Sequence, residues 1–295
     1  MFEDFDLKTI EVGQASLRLR IGGNGPPLLL LHGNPQTHVM WHSVAPELSK
    51  RFTVVASDLT GYGDSYKPLS SDDHSAYSKR SMANDQVNMM KAIGFETFCV
   101  AGHDRGGRVA YRMALDHPSV IKKLAVLDII PTLESFQRCD TKFGLGYYHW
   151  FFLAQPTPLP ETLINQNPEW FWRWHTNRVP RDFFTQTAVE DYLRCFRNPE
   201  TVRAICEDYR AGISIDCEHD LIDQQNNHKI GCPVLALWGK QAKLEQWYDP
   251  LEVWQSWASK VEGFGIDCGH YLAEEEPEQT TKALNDFFSR LTCLN

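Results

Sequence analysis

An aspartate flanked by glycines, standing between an apolar segment and a helical pattern, constrains the fold of this chain most strongly. Residues 97–101 form a short apolar run typical of a buried strand, and residues 106–116 show the periodicity of a helix. Between them lies the pentapeptide GHDRG at residues 102–106. A sharp turn from strand to helix leaves too little room for side chains beside its central residue, which explains the glycines. The sequence therefore predicts that Asp104 stands at the tip of such a turn.

Strands and helices alternate along most of the chain. Further apolar runs of strand length lie at Leu28–His32, Thr53–Ser57, Leu124–Asp128 and Val234–Trp238. Helical patterns lie near residues 76–93, 247–258 and 276–291, and an antiparallel edge strand is expected at Leu17–Ile21. Because continuous apolar runs that alternate with helices are typical of parallel sheets, we predict an α/β fold. Its central sheet would be mostly parallel, with helices on both faces.

The segment from residue 134 to residue 220 interrupts this alternation. It contains no good central strand and is rich in aromatic residues at helical spacing. Such rings usually pack helices together, but a helical insertion between two strands also forms a lid over a site at the strand ends. We therefore predict a core domain made of residues 1–133 and 221–295, with a helical cap inserted at residues 134–220.

The composition excludes several classes of function. The chain has 295 residues, and 29 Lys and Arg against 38 Asp and Glu give a net charge of −9. This balance disfavours nucleic acid as a partner, and no apolar run approaches the length of a membrane span. An anionic substrate would need a local cation to hold it. The eight cysteines are scattered without zinc-binding spacing, and the start of the chain has no leader pattern, so we expect a cytoplasmic protein with reduced thiols.

A carboxylate at the turn changes the expected chemistry. Serine at this place attacks carbonyl groups, whereas aspartate can displace a leaving group from saturated carbon and form an alkyl ester. Asp104 alone could also be a helix cap. Two other residues favour catalysis by Asp104. Asp128 ends a predicted strand and His270 precedes the final helix. The three residues thus follow the chain order nucleophile, acid, histidine of the α/β-hydrolase fold. Glu245 is the competing acid, but Asp128 is favoured because no aspartate follows the strand before Glu245.

Two arginines close to Asp104 point to the substrate. Arg105 directly follows the nucleophile and Arg108 lies one helical turn beyond it, so both are expected to face the pocket. Two guanidinium groups suit a substrate carboxylate and would lower the pKa of Asp104. The alternative is ion pairing on the helix surface, which fits Arg112 better. The HGNP turn at residues 32–35 is expected to offer one backbone N–H to an oxyanion, and Arg105 the second.

These motifs resemble those of the fluoroacetate dehalogenase family, whose members are haloacetate dehalogenases with the α/β-hydrolase fold. The resemblance covers nearly the whole chain and is carried by GHDRGGR, HGNPQTHVMWH, LDIIPT, YYHWFFLAQP, CEDYRAG and GHYLAEEEPEQ. It implies that Asp104 is the nucleophile, Asp128 the acid, His270 the base, Arg105 and Arg108 the carboxylate clamp, and His149, Trp150 and Tyr209 the hydrogen-bond donors to the departing halide.

The resemblance implies hydrolysis of a haloacetate, of the fluoroacetate or chloroacetate class, to glycolate and halide through an aspartyl ester. It implies no cofactor or metal, and a homodimer. Asn34 departs from the family, which commonly has Phe there, and places a polar group beside the pocket. One alternative is an epoxide hydrolase with the same nucleophile and two lid tyrosines, for which Tyr148 and Tyr209 are the candidates. Another is a non-catalytic receptor, although none of the three triad residues is missing.

Overall fold

The computed structural model describes residues 1–176 and 183–290, and eight strands of this part form one sheet. The strands are β1 (Asp6–Val12), β2 (Ala15–Gly22), β3 (Pro27–Leu31), β4 (Thr53–Ser57), β5 (Phe98–His103), β6 (Ile121–Leu127), β7 (Val234–Gly239) and β8 (Val261–Ile266). Their order in the sheet is β1-β2-β4-β3-β5-β6-β7-β8. All neighbours from β4 to β8 are parallel, while β2 is antiparallel to β1 and to β4. The predicted α/β fold with a mostly parallel sheet is confirmed.

Helices follow most of the strands. They are α1 (Ala45–Leu48), α2 (Lys79–Ala92), α3 (Asp104–Asp116), α4 (Thr132–Gln137), α5 (Thr141–Gly146), α6 (Tyr148–Leu153), α7 (Leu159–Gln166), α8 (Pro168–Thr176), α9 (Gln186–Phe196), α10 (Pro199–Ile213), α11 (Ile215–Gln225), α12 (Leu244–Trp247), α13 (Pro250–Trp257), α14 (Leu272–Glu275) and α15 (Pro277–Ser289). Four of them, α2, α3, α13 and α15, lie where the sequence predicts helices. No helix of the described part is long and apolar enough to cross a membrane.

The N-terminal hairpin corrects one prediction. Leu17–Ile21 lies inside β2, but β2 is not an edge strand because β1 pairs along its outer side. The sequence DLKTIEV of β1 is mostly exposed and lacks an apolar run, so its pattern gives no strong strand signal. The edges of the sheet are β1 and β8. Most side chains of β1 are exposed to solvent, and those of β8 alternate between exposed and half-buried.

Between β6 and β7 the described residues form helices α4 to α11 and no strand. This helical segment begins at Thr132 and ends at Gln225, a few residues outside the predicted limits of 134 and 220. Helices α6 and α10 from this segment contribute Trp150 and Tyr209 to a cavity that also contains Asp104. The division of the chain into a core domain and a cap domain stays a prediction.

A buried glutamate joins this helical segment to the sheet. Glu274 on α14 accepts hydrogen bonds from the Tyr192 hydroxyl of α9, at 2.8 Å, and from the side-chain amide of Gln36, in the loop after β3. All three side chains are buried. Burial raises the pKa of Glu274 to about 8, against the lowering effect of its two hydrogen-bond donors. The carboxyl is therefore protonated in the folded protein at neutral pH.

Replacement of Glu274 by Gln should remove a pH dependence of stability. The folded protein keeps a proton that the unfolded chain releases near the ordinary glutamate pKa of 4.5. The bound proton therefore makes its full contribution to the free energy of unfolding below this pH. The contribution falls by up to ~1.4 kcal/mol per pH unit as the pH rises to about 8. Denaturant unfolding of both proteins should show the wild type losing stability relative to Glu274→Gln over this range and running parallel above it. Parallel curves throughout would mean that the folded protein ionises Glu274 like the unfolded chain.

Candidate active site

The turn from β5 to α3 places Asp104 at the carboxyl end of the parallel strands. Asp104 is the first residue of α3 and has a left-handed backbone with φ of +45°. A Cβ atom on Gly102 would lie 2.3 Å from the carbonyl oxygen of Gly106, and one on Gly106 would lie 2.3 Å from that of His32. Only glycine fits at both positions. The glycines of the GHDRG pentapeptide are therefore a requirement of this turn.

Asp128 and His270 meet beside this turn. Asp128 directly follows β6, and its Oδ2 lies 2.6 Å from His270 Nδ1. Its other oxygen accepts a hydrogen bond from the backbone N–H of Gly239 at 3.0 Å. The competing acid, Glu245, instead accepts from the indole N–H of Trp238 at 3.0 Å. Asp128 thus orients the ring with its proton on Nδ1 and leaves Nε2 able to accept one.

The pKa shifts suit a nucleophile and a base. Burial raises the pKa of Asp104, but the neighbouring His270, Arg105 and Arg108 outweigh it and hold the pKa below its usual value. The predicted lowering is confirmed, and Asp104 is ionised. Burial lowers the pKa of His270, but its hydrogen bond to Asp128 and the charges of Asp128 and Asp104 raise the pKa above the usual histidine value.

The HGNP turn contacts the nucleophile directly. The backbone N–H of Asn34 donates to Asp104 Oδ2 at 2.9 Å. A Cβ atom on Gly33 would lie 2.6 Å from Cβ of Asp104, so this close approach also requires glycine. The side-chain amide of Asn34 donates to the Tyr209 hydroxyl at 3.3 Å. The structure therefore places the predicted oxyanion turn in contact with Asp104, while the second donor, the N–H of Arg105, stays a prediction.

A small cavity of about 190 Å³ lies beside the nucleophile. The residues proposed from the sequence that line it are Asn34, Asp104, Arg108, Asp128, His149, Trp150, Tyr209 and His270. Its volume suits a substrate of a few heavy atoms. Eight residues that come from separate parts of the sequence are thus brought to one cavity.

Arg108 is a buried cation that forms no ion pair with a carboxylate in the described part of the chain. One of its terminal nitrogens donates to the carbonyl oxygen of Ile130 and to the hydroxyl of Thr132, both at 3.1 Å. In residues 1–176 and 183–290 its Nε has no hydrogen-bond partner, and no carboxylate forms an ion pair with it. The ring of Trp150 lies 4.5 Å from its guanidinium carbon. Burial and the neighbouring charge of Arg105 lower the pKa of Arg108, against the raising effect of the Asp104 carboxylate.

Arg105 does not line the cavity, contrary to the prediction of a two-arginine clamp. Its Nε and one terminal nitrogen donate to the carboxylate of Asp208 at 2.7 and 2.8 Å. The same carboxylate accepts from the Tyr62 hydroxyl at 2.6 Å and from Lys79. The ring of Tyr209 lies 4.3 Å from the guanidinium carbon of Arg105. No local pattern reveals this pair, because Asp208 lies 103 residues further along the chain.

The three predicted halide donors come from α6 and α10 and are all buried. The rings of His149 and Tyr209 lie 5.8 Å apart, and those of Trp150 and Tyr209 lie 6.4 Å apart. Tyr147 also lines the cavity, whereas Tyr148, the tyrosine chosen from the sequence, does not. The choice was wrong because adjacent residues at the start of a helix differ by about 100° in direction, which the sequence alone does not resolve.

Sequence analysis also missed His175, a further residue of the cavity wall. It lies on α8, and its ring is 4.6 Å from that of His149. None of the motifs that carry the resemblance to the fluoroacetate dehalogenases includes His175. A histidine in an aromatic-rich helix gave no signal that separates a cavity residue from a packing residue.

Comparisons with known proteins agree with this geometry. Residues 26–277 match the family model of the alpha/beta hydrolase fold. A fluoroacetate dehalogenase from Burkholderia sp is 40% identical over 98% of this chain and 95% of its own length. A soluble epoxide hydrolase from Corynebacterium sp. (strain C12) is 32% identical over 91% of this chain and 92% of its own length.

A solved structure extends the likeness to three dimensions. The crystal structure of ALR0039 from Nostoc sp PCC 7120 has a TM-score of 0.97 and 49% sequence identity, and the match covers 99% of this chain and 100% of that chain. With a family model over most of its length and two relatives above 30% identity, the chain belongs to the α/β-hydrolase family, within which it groups with the fluoroacetate dehalogenases that its motifs resemble.

Proposed function

We propose that this hydrolase cleaves a haloacetate of the fluoroacetate or chloroacetate class to glycolate and halide. The observation that carries this proposal is Arg108, a buried guanidinium without an ion pair in the described residues, in the same small cavity as ionised Asp104. A buried charge without a partner is costly, so a cavity that keeps one suits a ligand of opposite charge. The 40% identity to a fluoroacetate dehalogenase supports this substrate class.

The first step is attack of Asp104 on the α-carbon of the haloacetate. Asn34 holds Oδ2 through its backbone N–H, which leaves Oδ1 to form the new carbon–oxygen bond. The carbon–halogen bond breaks, and the halide leaves with its electron pair. Imidazole, indole and phenol are hydrogen-bond donors, so His149, Trp150 and Tyr209 would stabilise the developing charge on the halide. The product is an ester between Asp104 and glycolate.

The second step is hydrolysis of this ester by water. In the free protein the negative charge of Asp104 helps to raise the pKa of His270. Ester formation removes this charge. The pKa of His270 therefore falls when the ester forms, and the ring becomes an acceptor when a base is needed. His270 takes a proton from water as the water oxygen attacks Cγ of Asp104, and Asp128 stabilises the resulting imidazolium. The bond from Cγ to glycolate breaks, glycolate takes the proton back, and one proton leaves as Asp104 ionises again.

Epoxide hydrolysis is the second candidate. Tyr147 and Tyr209 both line the cavity, and two tyrosines would donate protons to the oxygen of an epoxide opened by Asp104. The 32% identity to a soluble epoxide hydrolase supports this alternative. Arg108 argues against it, because a neutral epoxide would leave the guanidinium without a counter-charge.

One experiment separates the two reactions. The purified protein is given fluoro-, chloro- and bromoacetate, with free halide measured, and styrene oxide, with the diol measured. We expect halide release from haloacetates and no enzymatic diol. Diol formation without halide release would overturn the proposal in favour of the epoxide hydrolase.

Arg108→Leu should weaken binding of the substrate carboxylate. Loss of a charge-assisted contact at a buried site costs roughly 2–4 kcal/mol, so kcat/KM for chloroacetate should fall by about two orders of magnitude or more. Chloroacetamide has nearly the same shape without the charge and serves as the matched substrate. Its slower turnover should change little, and an equal loss for both substrates would show that Arg108 acts on packing rather than on charge.

Trp150→Phe should affect poor leaving groups most. The substitution keeps an aromatic ring beside Arg108 and removes the indole N–H together with part of the ring volume. Compact charge on fluoride or chloride needs strong donors, whereas bromide leaves readily without them. Halide release from fluoroacetate or chloroacetate should therefore fall several-fold more than release from bromoacetate. Equal losses for all halides would identify Trp150 as a packing residue.

A further inference from the structure

The histidine inside the GHDRG pentapeptide has no role in the proposed reaction. His103 is the last residue of β5 and is fully buried beside the triad. Its Nε2 lies 2.7 Å from the backbone carbonyl oxygen of His270. The two rings are 4.6 Å apart with an angle of 49° between them. A side chain next to the nucleophile is therefore bonded to the main chain of the base.

The direction of this hydrogen bond fixes the state of the His103 ring. A carbonyl oxygen only accepts, so Nε2 must carry the proton and donate it. Nδ1 has no hydrogen-bond partner in the described residues and faces the backbone at Gly33, where a Cβ atom would lie 3.0 Å from it. Burial and the neighbouring His270 lower the pKa of His103 to about 3. The ring is thus a neutral, single donor at neutral pH.

The loop that carries His270 between β8 and α14 is held at three consecutive residues. The carboxylate of Glu275 accepts from the backbone N–H of Gly269 at 2.7 Å and from that of Tyr271 at 2.9 Å. Between them, the carbonyl of His270 accepts from His103. Asp128 orients the imidazole itself, whereas His103 and Glu275 together hold the backbone from which the imidazole projects, and His103 alone of these two contacts His270.

We propose that His103 is a positioning residue for His270, which it holds over the Asp104 ester by a hydrogen bond to the backbone carbonyl. The inference rests on the proposed function, because it assigns His270 to the second step. In the first step Asp104 attacks and halide leaves without any proton transfer to or from His270. A displaced His270 would therefore slow hydrolysis of the ester far more than its formation, and the ester would accumulate.

A matched pair of variants tests this role. Gln places an N–H donor close to the position of imidazole Nε2, and Met has nearly the same length and shape without the donor. Rapid-quench measurements with chloroacetate give the first-turnover rate of halide release and, by mass spectrometry, the fraction of protein carrying the ester. We expect His103→Met to keep the halide burst within a few-fold of the wild type, to lower steady-state turnover at least tenfold and to accumulate ester. His103→Gln should restore most of the turnover.

Two results would overturn the positioning role. One is ester hydrolysis at the wild-type rate in His103→Met, and the other is an equal loss in the Met and Gln variants, which would show that ring shape matters rather than the donor. Absence of halide release by the wild-type protein would contradict the proposed function instead. In that case ¹⁵N NMR of the histidine rings still tests the hydrogen bond from His103. The inference requires a neutral His103 ring with its proton on Nε2 at pH 7. A proton on Nδ1 or a charged ring would contradict it.

Discussion

The left-handed backbone at Asp104 is the constraint on which the rest of the site depends. A non-glycine residue with φ of +45° costs on the order of 1–3 kcal/mol and persists only where the surroundings enforce it. Here Gly33, Gly102 and Gly106 allow three backbone segments to approach within distances that a Cβ atom would forbid. Asp128, at the end of the next strand, has the same conformation with φ of +52°. Two strained turns on neighbouring parallel strands thus aim two carboxylates at one edge of the sheet.

Charge is distributed unevenly around this edge. The chain has a net charge of −9, so nothing in its overall field attracts an anion. Arg105 and Arg108 lie one helical turn apart, yet Asp208 neutralises the first while the second faces the cavity without an ion pair in the described part of the chain. Arg108 is therefore a local cation that opposes the global charge, and with His270, which has the larger effect, it helps to lower the pKa of Asp104. In the proposed function the same side chain would bind the anionic substrate and help to keep the nucleophile ionised.

Sequence reasoning reached most of the core and part of the site, for identifiable reasons. Strands β3 to β7 each contain a continuous apolar run because both faces of the sheet are buried there, whereas β1 is mostly exposed and was missed. The GHDRG turn is local, so its geometry follows from five adjacent residues. The pairing of Arg105 with Asp208 depends on how α10 packs, and the choice between Tyr147 and Tyr148 depends on where α6 starts. Both are tertiary facts that residue spacing does not encode.

The origin of the oxygen in the product tests the central claim most directly, namely that Asp104 is the nucleophile. A single turnover of chloroacetate with excess protein in H₂¹⁸O distinguishes an ester from direct attack by water. If Asp104 attacks, glycolate takes its new oxygen from the carboxylate, and water replaces that oxygen at Cγ. Mass spectrometry should then find ¹⁸O in the peptide that contains Asp104 and unlabelled glycolate. Labelled glycolate with an unlabelled peptide would contradict the account.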